Sequence, residues 1–191
     1  MGNLYKYGCL LLLFTVIFGC RKDVKKENEH IDYQQIDDIF VRNKLAIEKL
    51  TLANLNREII SQKVYFGKDS LHLFSMKKLV KKHRFFFYFS EKTCASCIYN
   101  TVDCIKEVFP DYEQDDKIIF IAPGYPARMK ENTFGKRLLT LTKGKLGIAL
   151  EEKLVPFLFT VDENLKLKTL HIVNSKDFTE TMQYLNTIKE E

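Results

Sequence analysis

The chain has 191 residues, 46% of them hydrophobic and 29% charged, enough for one well-filled core and too short for two ordinary domains. Four Pro and eight Gly exclude collagen-like and linker-rich chains, and the apolar content excludes a disordered one. Thirty basic residues against 25 acidic ones leave a net charge of +5, mild and mixed, which gives no basis for nucleic-acid binding.

Residues 1–20 read MGNLYKYGCLLLLFTVIFGC, with Lys6 as a short positive segment and Tyr7 to Phe18 as an apolar run of 12 residues. A bilayer-spanning helix needs about 20 apolar residues, whereas a run of 12 suits an export signal. The run ends in Ile17-Phe18-Gly19-Cys20. This resembles a bacterial lipobox, in which the Cys is lipidated and becomes the mature N-terminus, with Phe18 standing where a small or β-branched residue is usual. The expected layout is a signal peptide over 1–19, lipidated Cys20 and a polar tether to residue 32, and a periplasmic or cell-surface location. A plain signal peptide or a short anchor is the alternative, and each places the domain where disulfides persist. Without residues 1–19, which carry Lys6 and no acid, the net charge is +4. With Cys20 lipidated, only Cys94, Cys97 and Cys104 remain for chemistry.

Residues 33–61 read as one long helix, the core of an N-terminal segment 33–62. Val41, Leu45, Leu52, Leu55 and Ile59 lie near one stripe and no Gly or Pro interrupts. Such a stripe packs on the domain or binds a partner. Val64–Phe66 and Leu71–Phe74 flank Gly67-Lys68-Asp69-Ser70 and predict a hairpin. Arg84 to Ser90 is nearly continuous in apolar residues, as in a strand buried on both faces. A helix follows from about Cys94 to Phe109, closed by Pro110, with Ile98, Val102, Ile105 and Phe109 on its apolar face. Lys117 to Ala122 is a second buried strand, so strand, helix and strand form a βαβ unit with parallel strands. Residues 128–142 read as partly helical. Val155–Val161 and Leu165–Val173 predict an antiparallel hairpin around Asp162-Glu163-Asn164. Asn174 or Ser175 is expected to cap a final helix whose stripe is Phe178, Met182, Leu185 and Ile188.

Thr93-Cys94-Ala95-Ser96-Cys97 stands directly after a buried strand and opens a helix. A lone CxxC is equally half a zinc site, but at a strand-to-helix junction in a βαβ context it reads as a redox pair. The first Cys sits where unpaired backbone N–H groups and the helix dipole favour a thiolate. The second, three residues on, is nearly one turn away and can close a disulfide with it.

Residues 63–189 resemble a thioredoxin-like domain of the periplasmic thiol–disulfide oxidoreductase type related to TlpA and ResA. The resemblance rests on FYFSEKTCASC after the first central strand, KIIFIA as the next, and Val155-Pro156-Phe157 opening the terminal hairpin. It implies an α/β thioredoxin-like fold over 63–191: a central mixed sheet, βαβ then ββα, with the N-terminal helix and hairpin as an extension. It also implies a cis Pro156 beside the redox pair, with Val155 offering backbone hydrogen bonds to substrate. Three departures stand out: Thr93 replaces an aromatic residue, Tyr88 occupies the position of a buried acid, and Ala95-Ser96 replaces Gly-Pro. Glu91 and Lys92 flank the pair as charges able to tune it, along with Thr93.

The implied activity is thiol–disulfide exchange with exported proteins, needing no cofactor beyond the Cys94–Cys97 disulfide. An unidentified membrane or periplasmic electron donor and a lipid-anchored membrane complete the expected partners. Two alternatives remain open. One is a non-catalytic binding module. The other is a copper or zinc site of Cys94, Cys97 and one of His72, His83 or His171, none at a diagnostic spacing. Cys104, two helical turns beyond Cys97, reads as buried and inert or as a third redox thiol.

Overall fold

The computed structural model describes residues 33–80, 85–174 and 176–190. The signal segment, Cys20, the tether, His83, Arg84 and Ser175 lie outside them. Two compact units divide between Ile39 and Phe40, and the sheet and the cysteine pair belong to the second, Phe40–Glu191. Helix α1 spans Tyr33–Asn54. Strand β1 (Lys63–Phe66), strand β2 (Phe74–Ser75) and helix α2 (Met76–Val80) follow. Next come β3 (Phe85–Tyr88), α3 (Ala95–Val108) and β4 (Ile118–Ile121). After β5 (Leu139–Leu141), the chain ends with β6 (Phe157–Val161), β7 (Leu167–Ile172) and α4 (Thr179–Glu190).

The strands form one sheet in the order β2-β1-β5-β4-β3-β6-β7. β3 pairs parallel with β4, so α3 is the crossover that parallel neighbours require. β6 runs antiparallel to β3 and returns through β7. Together with α4 this is the thioredoxin-like α/β arrangement expected of the segment.

Successive side chains of β3 point to opposite faces, and both faces are buried. Phe86 and Tyr88 enter one core with Ile119, Ile121, Phe157 and Phe159. Phe85, Phe87 and Phe89 enter the other, under Ile98, Val102 and Ile105 of α3 and Leu185 of α4. Phe86 stacks on Phe159 at 5.0 Å and Phe87 meets Phe120 edge-on at 5.3 Å, geometries that add to the area burial.

Four expectations are corrected. The first helix stops at Asn54 rather than residue 61. Asn54 Nδ2 donates to the Leu50 carbonyl at 2.7 Å, and Asn56 takes a left-handed φ of 62°. The chain then runs extended beside β7: the Asn56 N–H meets the Leu167 carbonyl at 2.9 Å and the Ile59 N–H meets that of Leu165 at 2.8 Å. Ile59 is thereby buried from an extended segment, while Leu45 and Leu52 are 50% and 69% exposed. Second, residues 128–142 hold no α-helix. A 3₁₀ turn at Ala127–Met129 is followed by β5, in which buried Leu139 and Leu141 flank Thr140 with the two-residue period of a strand. β5 pairs with both β1 and β4. Third, the hairpin forms, but its second strand is only Phe74–Ser75, and Leu71 is 90% exposed. Fourth, the last helix starts at Thr179. Asp177 Oδ1 accepts the Thr179 N–H at 2.9 Å, whereas Asn174 Oδ1 accepts that of Lys176.

Candidate functional site

The site begins where β3 ends. The Thr93 N–H donates to the Ser90 carbonyl at 3.0 Å, and Thr93 Oγ1 accepts the Ser90 N–H at 2.9 Å. Thr93 is buried, so its hydroxyl closes the turn that delivers the chain into α3. Cys94 is the N-cap residue of α3, with φ −51° and ψ 121°, and its carbonyl accepts the Ile98 N–H at 3.2 Å. Its side chain makes no capping bond, which leaves the sulfur exposed at the helix N-terminus.

The two thiols differ sharply. Hydrogen bonds from the Cys97 thiol first, then from the Ser96 hydroxyl and the Cys97 N–H, pull Cys94 down from 9.0 to about 7. Ser96 Oγ lies 3.1 Å from Cys94 Sγ. Burial, reinforced by the neighbouring Cys94, pushes Cys97 up to about 11. Cys97 is anchored inside the helix, where its carbonyl accepts the Thr101 hydroxyl at 2.7 Å. The result is an exposed nucleophile with a shielded thiol one turn behind it. Cys104 is a buried free thiol on the same helix, raised by burial and then by Glu107 and Asp103.

The other expected site residues fall as follows. The β3–β6 register sets Tyr88 opposite Phe157, so Val155-Pro156 stands at the end of the sheet from which Cys94 departs. The Val155–Pro156 bond is trans, not cis. A trans X–Pro bond is the preferred isomer, and here the chain turns into β6 at Leu154, in the left-handed region at φ 57°. Tyr88 is buried and stacks on Phe157 at 4.6 Å, and burial, with the Glu151 carboxylate adding to it, holds its hydroxyl well above the usual range. It therefore does not stand in for a carboxylate. Glu91 and Lys92 are exposed. Neither is among the groups that shift Cys94, and Glu91 lies over Gly124, where a Cβ would meet its carboxyl carbon at 3.1 Å.

The two described histidines, His72 and His171, form no metal-ligand group with the pair. His72 bonds to Asp69 in the β1–β2 loop. His171 bonds through Nε2 to Thr181 at 2.9 Å and stacks on Tyr184. Among the described residues no three His, Cys, Asp or Glu side chains converge on one point, and no helix is long and apolar enough to cross a membrane.

Two features escaped the sequence reading. Ser96 is a hydroxyl partner of the nucleophile, legible only in that it lies two residues into the helix after Cys94. Glu151 accepts the N–H groups of Leu146, Gly147 and Ile148 at 2.7, 2.8 and 3.0 Å, and so organises the loop before Val155. Beside the pair, α3 and the loop after β4 enclose a groove of about 800 Å³ that starts at Thr93 and Ala95.

Solved structures resemble the chain in fold. An uncharacterized thioredoxin-like protein from Porphyromonas gingivalis is 19% identical, with a TM-score of 0.48 over 72% of this chain and 95% of its own. A protein assigned as the thiol:disulfide interchange protein DsbE from Chlorobium tepidum is 10% identical, with a TM-score of 0.42 over 70% and 96%. A thiol peroxidase from Chromobacterium violaceum is 14% identical, with a TM-score of 0.43 over 72% and 88%. Neither protein-family models nor curated protein sequences match the chain.

Proposed function

We propose that this protein is a thiol–disulfide oxidoreductase that works through Cys94 and Cys97. The observation that carries the reading is the division of labour within the pair. Cys94 is exposed at a helix N-terminus and drawn down to about 7, so about half of it is thiolate at pH 7. Cys97 is buried behind it and pushed up to about 11, so it stays a thiol until a sulfur is presented to it.

The reaction balances with these two residues. The Cys94 thiolate attacks one sulfur of a substrate disulfide, an S–S bond forms, and the first substrate thiolate leaves. The Cys97 sulfur then attacks Cys94 Sγ, and its proton passes to the departing second substrate sulfur. The substrate has gained two electrons and the enzyme pair is oxidised; the reverse sequence oxidises a dithiol. Thr93 and Ser90 hold the turn that presents Cys94, and Ser96 stabilises its thiolate. In this reading the chain is tethered to a membrane through lipidated Cys20, its substrates are exported proteins, and a separate membrane or periplasmic donor renews the dithiol. The lipobox-like Ile17–Cys20 segment supports the tether.

The test uses full-length protein, reduced and mixed with glutathione disulfide. The Cys97→Ser variant should retain the mass of one glutathione on Cys94. Wild type should release two glutathiones and gain an internal disulfide, and Cys94→Ser should do neither. If Cys97→Ser carries no glutathione, the exchange mechanism is wrong and a binding module takes its place.

A further inference from the structure

The groove beside the pair lies on a different side of the sheet from Val155. Its aromatic wall, Tyr125 and Phe134, packs on the core beneath α3, whereas Val155 packs on the opposite core. One end touches Thr93 and Ala95, the neighbours of Cys94, and the other reaches Lys106 and Glu113. From Ala95 to Lys106 this wall is about 16 Å long at about 1.5 Å per helical residue. That matches about five residues of extended chain at about 3.4 Å each.

Its surface is built for a side-chain-bearing ligand. Phe89 is the buried hub that meets Tyr125 at 5.5 Å and Phe134 at 5.7 Å, both edge-on. Phe134 in turn holds Tyr99 edge-on at 5.1 Å. Yet Tyr99 is 58% exposed and Met129, on the facing loop, 41% exposed. An aromatic ring held in place by neighbours and a flexible thioether across from it offer contact area without a large ordering cost.

The charge is opposite to that of the chain. Four carboxylates line the groove against two cations, in a protein whose net charge is +5. Asp103 is paired with Lys106 at 3.5 Å and Glu131 with Arg137 at 3.7 Å. Glu91, at the Cys94 end, meets no cation among the described residues.

We propose that this groove docks an extended polypeptide next to its disulfide, with apolar or aromatic side chains against Tyr99 and Met129 and a basic side chain near Glu91. The inference rests on the exchange reading and names its substrate class: basic polypeptide disulfides in preference to low-mass ones. Docking of about five residues raises the local concentration of the disulfide at Cys94 and favours attack by positioning.

The test compares second-order rates of reduced full-length protein with two disulfides. One is hydroxyethyl disulfide; the other is a pair of ten-residue peptides joined through a central cysteine, with Phe and Lys within five positions of it. Wild type should favour the peptide by about tenfold or more, and Tyr99→Ala and Met129→Ala should each cut that preference by about threefold to tenfold. Glu91→Gln should cut it by about threefold for the Lys peptide and leave the Lys→Gln peptide unaffected. Two chemically unrelated substitutions guard against a folding artefact in either one. Equal wild-type rates for the two disulfides, or a preference untouched by all three substitutions, would overturn docking while leaving exchange intact. A wild type inert toward both disulfides would overturn the exchange reading, and docking with it.

Discussion

Removing the Cys97 sulfur isolates the cause of Cys94 reactivity. The Cys97 thiol is the largest contributor to the fall of Cys94 from 9.0 to about 7. In Cys97→Ala the Ser96 hydroxyl at 3.1 Å and the helix N-terminus remain, so we take a rise of about one unit, half the shift, as the expectation. At pH 6 that lowers the thiolate fraction about ninefold. The less acidic thiolate is intrinsically about threefold more nucleophilic, by the Brønsted slope of about 0.4–0.5. The net effect is attack about threefold slower at pH 6 and about threefold faster above pH 9, with the two profiles crossing near pH 7.5. Stopped-flow release of a chromophoric thiolate from a low-mass aromatic disulfide, read in its first phase, measures this from pH 5 to 10. Profiles that shift in parallel without crossing would mean that access to the sulfur had changed, not its acidity. A midpoint still near 7 in Cys97→Ala would remove the hydrogen bond between the thiols as the cause.

Two further outcomes rest on neighbouring geometry. Thr93→Val deletes the acceptor of the half-buried Ser90 N–H. Urea unfolding should show a loss of about 1–2 kcal/mol, with the Cys94 midpoint unmoved; a moved midpoint would make Thr93 a tuning group after all. His171 is held below its usual 6.5 by burial, against a smaller opposing pull from Glu180. Its folded form therefore resists protonation. Its stabilising contribution is complete above about pH 6.5 and falls as the pH drops through that value toward the lower folded pKa. Wild type should lose more Tm than His171→Gln between pH 7.5 and 5, and equal losses in thermal scans would contradict this.

The central elements were legible because their signals are redundant. The run Phe85–Phe89 admits no solvent-facing residue, and the structure buries every one of these side chains. Cys94 and Cys97 were legible as a pair because a buried strand and a helical stripe bracket them. The failures lie where two periodicities overlap. Leu52, Leu55 and Ile59 continue a helical stripe by spacing, but Asn54 and Asn56 carry the local bonds and left-handed turn that end the helix. Those two asparagines were the available signal. β5 has only three residues, and its partners β1 and β4 are distant in sequence, so no local window contained the pairing that makes Leu139–Leu141 a strand. The isomer of Pro156 was inferred from resemblance alone. Ser96 and Glu151 act through hydrogen bonds whose partners become visible only once the chain is folded.

The acidity of Cys94 also bears on the direction of the reaction. A stabilised thiolate stabilises the reduced pair, and so makes its disulfide more oxidising. Among dithiol proteins with a CxxC pair, a first-cysteine pKa near 3.5 accompanies a potential near −120 mV, and one near 7 accompanies about −270 mV. Cys94 at about 7 belongs to the reducing end of that range. The absence of a cation among the groups that shift it agrees with this, since only neutral hydrogen-bond donors do the lowering. We therefore expect full-length protein in graded glutathione buffers, acid-quenched and read by mass, to interconvert between dithiol and disulfide below about −200 mV. A midpoint there would make the pair a reductant in exchange and dependent on an electron donor. A midpoint near −120 mV would contradict the link drawn here between thiol acidity and direction, and would point to stabilisation of the dithiol by something other than the Cys97 and Ser96 hydrogen bonds.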